Sequence, residues 1–508
     1  MTKLLKQRPN GADRVRNLHL FREQASIAGT WFDGPSEDRI EVVDPATAAT
    51  IGTVPNMDRS HVDLAIEAAK NSASYWREMS PYARAEILHN WADLITLHRQ
   101  DLAAIVTLEQ GKPFDEALGE VDYGASYFRW YAEQAKRLYG EVIPSHLPGS
   151  RLLVLREPIG VVAAIIPWNF PSALVARKSA AALAAGCPVV LRPANGTPFS
   201  ALALAHLGQE AGIPDGVFSV ATGCAQAFSE AVFSSPAVRK ITFTGSTEVG
   251  RKLMMAAAPD IKRLSLELGG HAPCLVFEDA DLEMAVEGAV AAKFMSTGED
   301  CLAINRILVQ ASIYPSFCAM YAERAAELKV GNGFDKGVQQ GPLFEDSVLE
   351  KCEFHVSDAV SKGAEILTGG RRHALGGLYY EPTVLGGVTS DMAIFTEETF
   401  GPVAPITSVS GEAEAVELAN ASPYGLAAYL FTQDLSRSWR VAEALEYSMV
   451  ALNTPSMTGA PVPFGGIKQS GQGREGGHQG LEEFTELKYF CMGGLDLDQR
   501  GKSLEKIA

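Results

Sequence analysis

Cys301 stands apart from the other six cysteines of the chain. It sits in the polar run GEDC after Gly298, whereas Cys187, Cys224, Cys274, Cys318, Cys352 and Cys491 lie among apolar neighbours or on helical faces, where a small core side chain is the ordinary role. A thiol outside an apolar run serves as a nucleophile once a nearby base takes its proton. Glu267, which opens ELGGHAP upstream, supplies a carboxylate of that kind. Asn169, in PWNFP between an expected strand and an expected helix, offers an amide N–H to an oxyanion. Each residue alone is ordinary, and their company is what points to nucleophilic catalysis.

A cofactor-binding segment belongs beside such residues. The literal GxGxxG at Gly471, Gly473 and Gly476 is a decoy, because Lys468, Gln469 and Ser470 before it do not form a strand and no acidic residue follows at the ribose distance. FTGSTEVG, from Phe243 to Gly250, fits better. It follows an expected strand and opens a helix at Ser246, so backbone N–H groups and the Ser246 hydroxyl can receive a pyrophosphate oxygen. A structural strand–turn–cap unit would read the same way.

These residues need elements to hold them. Apolar positions recur at helical spacing over 59–136, which predicts consecutive helices. Beyond Arg151, β-branched runs at 161–166, 188–191, 217–220 and 240–243 alternate with Ala-rich helical segments at 172–185, 200–211 and 246–258. That alternation predicts an open parallel sheet with helices on its faces. A second alternating block runs over 272–403, with strands at 273–276 and 306–309, and the two α/β domains join near Glu267. Strand-like alternation at 139–155 and 483–494 predicts a small extra sheet for subunit pairing.

The 508 residues suit two or three domains, and 46% hydrophobic content provides ample core. With 44 Lys and Arg against 61 Asp and Glu, the formal charge of −17 disfavours a general nucleic-acid or anionic-membrane surface. The most apolar run stops at Pro167, far short of a span, so no membrane segment is expected. An odd number of scattered cysteines without CxxC spacing disfavours a disulfide scaffold and a zinc module, predicts no metal, and places the protein in a reducing compartment, the cytoplasm. The first sixteen residues are basic without an apolar core and predict a disordered extension, a transit peptide being the alternative.

PWNFP, FTGS, ELGGHAP, the Cys301 segment, EETFGPV at Glu397 and PFGGIKQSG at Pro463 occur in an order and approximate spacing that resembles the aldehyde dehydrogenase superfamily. The resemblance covers about 20–495 and is closest to succinate semialdehyde dehydrogenases, through PSALVARKSAAALAAGCPVVLRPA, TPFSALAL and ELKYFCMGGL. It implies an α/β fold of two open-sheet domains, a Rossmann-type cofactor domain plus a catalytic domain, with a small oligomerisation sheet. The implied partition is an N-terminal extension at 1–19, a cofactor domain at 20–138 and 156–266, a catalytic domain at 267–465, oligomerisation strands at 139–155 and 483–495, and a tail at 496–508.

It also implies NAD(P)-dependent oxidation of an aldehyde to a carboxylate through a thiohemiacetal and a thioester on Cys301. Asn169 and the Cys301 backbone N–H hold the oxyanion, Glu267 activates the hydrolytic water, and Lys178 stands beside them. Ile166, Trp168, Arg192, Asn195, Gly245, Ser246 and Leu268 face NADP or NAD, Glu398 binds the nicotinamide ribose, and Phe400 packs on the nicotinamide. Arg177, Met295, Thr458 and Phe464 face the substrate. A homodimer or homotetramer is implied.

Three departures qualify the resemblance. Arg192 and Asn195 in RPAN stand where NAD-preferring relatives commonly carry Lys and Glu; losing that carboxylate removes repulsion of a 2′-phosphate, and the Arg fork suits one. GEDC replaces the usual GQTC, so Asp300 must point away, be hydrogen-bonded, or raise the Cys301 pKa. Of the carboxylate clamp of succinate semialdehyde enzymes, Arg177 and Thr458 match, but Met295 occupies the place of the second arginine. Ala303, two residues past the nucleophile, removes a regulatory disulfide. A semialdehyde acid such as succinate semialdehyde is the expected substrate, with apolar or aromatic aldehydes as the alternative. A CoA-acylating enzyme would not need Glu267, and a catalytically dead binding scaffold would be expected to lose Cys301, Glu267 or Asn169.

Overall fold

The computed structural model describes residues 14–34 and 37–495. Its N-terminal third is helical: α1 (Arg59–Glu78), α2 (Pro81–Leu97), α3 (Arg99–Gln110) and α4 (Phe114–Ala135). The Asp58 side chain accepts from His61 N to start α1, and Ser80 followed by Pro81 starts α2. Helix α5 (Ala173–Ala185) is buried along its whole length, which its run of alanines permits, and it ends where Gly186 turns left-handed at φ 96°.

Eight strands form the first sheet: β1 (Ala25–Ile27), β2 (Thr30–Phe32), β7 (Val161–Ile165), β8 (Val189–Arg192), β9 (Phe218–Val220), β10 (Val238–Thr244), β11 (Arg263–Glu267) and β21 (Gly471–Gln472). Their order is β2-β1-β9-β8-β7-β10-β11-β21, with the five central strands parallel and the edges antiparallel. Helices α6 (Phe199–Glu210), α7 (Ala225–Ser234) and α8 (Thr247–Ala257) link these strands. The βαβ alternation expected from the sequence is thus present, offset by at most two residues. Val161–Ile165 is buried on both faces, as a central parallel strand must be.

The chain leaves this sheet at Glu267 and enters a second one at Ala272. There β12 (Ala272–Val276), β13 (Ile304–Gln310), β14 (Glu365–Thr368), β15 (Thr383–Gly386), β16 (Val403–Val409), β18 (Ala427–Phe431) and β19 (Met449–Leu452) take the order β14-β15-β16-β13-β12-β18-β19. Helix α9 (Leu282–Phe294) connects β12 to the Cys301 segment. Short pairs join β3 (Arg39–Asp44) to β4 (Ala49–Pro55) and β17 (Tyr424–Gly425) to β20 (Ile467–Lys468). The expected extra strands appear as β5 (Glu141–Ile143), β6 (Arg151–Pro158) and β22 (Thr485–Met492), a three-stranded antiparallel sheet with Val142, Leu487, Tyr489 and Phe490 exposed.

One expectation needs correction. Residues 14–16 pack onto the body instead of belonging to a disordered extension: Val15 is buried and Arg16 N donates to Asp101 Oδ1 at 2.7 Å. The rest of that extension, 1–13, and the tail at 496–508 lie outside the described residues. Among the described residues no helix is long and apolar enough to cross a membrane.

Candidate active site

Asn169 follows β7, Gly245 and Ser246 follow β10, and Glu267 ends β11, so three neighbouring parallel strands deliver these residues to one edge of the sheet. Ligands bind at this carboxyl edge in open α/β sheets. Cys301 approaches from the second sheet, just before β13. All five residues line one cavity of about 650 Å³ between the two sheets.

The backbone before Cys301 is unusual. Ser296 (φ 50°), Thr297 (φ 59°) and Gly298 (φ 76°) are consecutive left-handed residues, a conformation that costs L-residues about 1–2 kcal/mol each and persists only when its surroundings impose it. Here they do. Glu116 Oε2 accepts from Ser296 N at 2.9 Å, Asn169 Nδ2 donates to Glu299 O at 3.0 Å, and Phe344 N donates to Glu299 Oε1 at 2.9 Å. A Cβ on residue 298 would fall 2.5 Å from the Gly401 carbonyl, so only glycine lets this loop lie against the segment bearing Glu398 and Phe400.

The acidic pair before the nucleophile divides. The Glu299 side chain turns away toward Phe344 N and Gln110, while Asp300 Oδ1 accepts from Leu302 N at 3.1 Å and stays on the cavity wall. Burial, then the Glu267 and Asp300 carboxyls, push the Cys301 thiol well above its usual range, with Arg177 pulling the other way. The resting nucleophile is therefore a thiol, with the Glu267 carboxyl close enough to act on it. Burial raises Glu267 to about 7, against the pull of Arg177 and Lys178. Its Oε1 is buried with no hydrogen-bond partner, free to take a proton.

Behind Glu267 stands a residue the sequence reading missed. Glu475 is buried between Lys178 Nζ at 2.6 Å and Arg177 Nη2 at 2.7 Å. Because it sits inside the glycine-rich run set aside as a decoy, no hydrophobic or catalytic pattern marked it. Those glycines serve packing: β21 pairs with Leu266 and Glu267, and a Cβ on residue 471 would fall 1.9 Å from the Leu266 carbonyl. The run clamps the strand end that carries Glu267.

At one end of the cavity Arg177 lies over the Phe464 ring at 3.8 Å, and the half-exposed Met295 and Thr458 line the same cavity. At the other, Trp168 stacks on Phe344 at 4.2 Å and meets Phe400 edge-on at 5.7 Å. There Glu398 accepts from Gly270 N at 3.1 Å and burial lifts it to about 7, with Leu268 on the same wall. Four expected site residues do not line this cavity. Lys178 is buried beneath it, bonded to Glu475 and Thr242. Ile166 N donates to Arg192 O at the end of β8, and Arg192 Nη2 reaches Asn195 Oδ1 at 3.1 Å and Gly223 O at 3.0 Å.

This architecture accepts a dinucleotide. Ser246 caps α8 through Val249 N, the neighbouring Thr244 Oγ1 is buried on the cavity wall without a partner, and Arg192 Nε is likewise unsatisfied at the adjoining strand end. Fold and site together define an oxidoreductase with a covalent thiol step. The Aldehyde dehydrogenase family model matches residues 31–490. The chain is 49% identical over 482 residues to a glutarate-semialdehyde dehydrogenase of Pseudomonas aeruginosa, covering 95% of this chain and 100% of that protein. It is 48% identical to an NADP(+) succinate-semialdehyde dehydrogenase of Escherichia coli, covering 94% and 100%. The crystal structure of a succinate-semialdehyde dehydrogenase from Burkholderia pseudomallei superposes with a TM-score of 0.93 at 49% identity, over 94% of this chain and 99% of that one. The chain belongs to the aldehyde dehydrogenase family. Its chemistry is accordingly NAD(P)-dependent oxidation of an aldehyde to a carboxylate through a cysteine thiohemiacetal and thioester.

Proposed function

We propose that the protein oxidises a short aldehyde bearing an ω-carboxylate, of the succinate semialdehyde type, to the dicarboxylate. The observation that carries this reading is Arg177. Its Nε is buried in the cavity wall without a hydrogen-bond acceptor, while Nη2 is ion-paired to Glu475 at 2.7 Å. A buried unsatisfied donor costs about 1–3 kcal/mol, and a substrate carboxylate would relieve it. Thr458 adds a hydroxyl to the same cavity. The names of the relatives support the same substrate class.

In this reading Glu267 takes the thiol proton as the Cys301 sulfur bonds to the aldehyde carbon. Asn169 Nδ2 and the Cys301 backbone N–H hold the oxyanion that forms. A nicotinamide held beside Glu398 and Phe400 would supply the two-electron acceptor for the hydride, and Cys301 keeps the oxidised acyl group as a thioester. Glu267, having released its first proton, deprotonates the water that attacks the thioester, and the carboxylate leaves as Cys301 regains a proton. Lys178 and Glu475 keep the charge behind Glu267 balanced, while Glu398 and Phe400 orient the nicotinamide end. The first sheet and helices α1–α4 act as the cofactor domain and the second sheet as the catalytic domain. The exposed apolar sheet of β5, β6 and β22 pairs subunits into a homodimer or homotetramer, and free cysteines throughout fit the cytoplasm.

Arg177→Gln tests the substrate. The ratio of kcat/KM for succinate semialdehyde to that for butanal should fall roughly 10-fold or more, the worth of one charged hydrogen-bonded contact. An unchanged ratio would make Arg177 only the counter-ion of Glu475. For the cofactor, we infer that NADP is accepted at least as well as NAD. Asn195→Glu, which puts a carboxylate within reach of Arg192, is expected to move kcat/KM at least roughly 10-fold toward NAD by repelling the 2′-phosphate. Strong NAD preference in the native protein would contradict this reading.

A further inference from the structure

Glu116 is a charged group on the cavity wall with no role in the mechanism above. Glu116, in the first turn of α4, shares a helix face with Gly119, Glu120 and Tyr123, all of which line the cavity. Facing them from α5 are Ala173, Leu174 and Arg177. The substrate end is therefore built between α4 and α5.

The other charges there are accounted for. Lys112 Nζ is taken by Glu120 Oε2 and Asn169 O, both at 2.7 Å, and Glu120 Oε1 accepts from Ser172 N at 2.8 Å. Arg177 is balanced by Glu475. Lys351, the remaining lining cation, acts on Glu398 at the cofactor end. Glu116 differs: Oε2 accepts from Ser296 N, but Oε1 has no hydrogen-bond partner, and no cation lies within ion-pair distance of the carboxyl among the described residues. The neighbouring position that could have supplied one is Met295. Burial raises Glu116 to about 7, against the longer-range pull of Lys112 and the hydrogen bond from Ser296 N. A substrate carrying only negative charge would enter past Glu116 and Asp300, whose charge Lys112, already bonded to Glu120 and Asn169 O, offsets only from a distance.

We propose that Glu116 is a specificity-determining residue that receives an ammonium group, so that the preferred substrate is an aldehyde whose tail carries an ammonium beside the carboxylate held by Arg177. The inference rests on the ω-carboxylate reading and refines it. An ammonium gives Glu116 its missing partner, while the carboxylate meets the open Nε–H of Arg177; a zwitterionic tail satisfies both walls without adding net charge.

A matched pair of four-carbon substrates tests this: 4-oxobutanoate (succinate semialdehyde) and 2-amino-4-oxobutanoate, with butanal as the uncharged reference. Glu116→Gln keeps an acceptor for Ser296 N and removes only the charge, so the loop before Cys301 stays anchored. The native enzyme should favour the amino substrate in kcat/KM, and Glu116→Gln should lower the amino-to-unsubstituted ratio at least roughly 10-fold, through a higher KM for the amino substrate, a change worth about 1.4 kcal/mol. If both acids beat butanal but their ratio is unmoved by Glu116→Gln, this inference is wrong and the ω-carboxylate reading stands. If neither acid beats butanal, the ω-carboxylate reading itself falls, and this inference with it.

Discussion

Cys301→Ser protein is expected to bind NADP with native affinity and to turn over aldehyde at least roughly 10⁴-fold more slowly, in line with the loss of a nucleophile elsewhere. The thiol of Cys301 is already pushed high by burial and two carboxyls, so in the proposed mechanism its proton must pass to the neighbouring Glu267. A serine hydroxyl is a far weaker acid, and a carboxyl near 7 cannot deprotonate it appreciably. Turnover followed by NADPH absorbance, with cofactor binding measured by calorimetry, checks both halves. Activity above a few per cent of native would remove Cys301 from the chemistry.

The second large effect belongs to Glu267. Because burial raises its carboxyl from the ordinary range to about 7, it is protonated and inactive as a base below that pH and ionised above it. Native kcat/KM should therefore rise with pH through about 7. Glu267→Gln should lose that rise and slow steady-state turnover roughly 10²- to 10⁴-fold, the usual worth of a general base. In stopped flow the variant should still release close to one NADPH per site, more slowly than native, before hydrolysis stalls. An unaltered pH profile in the variant would assign the titration to another group, with Glu398 the nearest candidate of similar pKa.

Much of this site is legible in the sequence. Cys301, Glu267 and Asn169 stand in motifs whose neighbours force strand ends and turns, and Ser246 announces a helix start. The two sheets followed from alternation of β-branched and Ala-rich runs. What escaped the sequence was of two kinds. Short edge pieces such as Thr30–Phe32 and Gly471–Gln472 carry too few residues for any periodicity, and they form because a neighbouring strand offers unpaired backbone groups. Paired charges are the other kind: Glu475 lies in a glycine-rich run almost 300 residues from Lys178, and Glu116 reads as an ordinary first-turn acid of a helix. Only the fold brings Glu116 to the cavity wall and Glu475 to the pair of cations behind it. Arg177 lies between the two cases, visible as a candidate anion contact, while its ion pair with Glu475 was not.

The central claim is that the acyl group passes through Cys301. Glu267→Gln protein mixed with NADP and succinate semialdehyde, quenched in acid within the burst and digested, gives the most direct test by mass spectrometry. The account predicts a succinyl group on the peptide bearing Cys301, in proportion to the NADPH formed. NADPH formed in stoichiometric amount with an unmodified Cys301 peptide would contradict it.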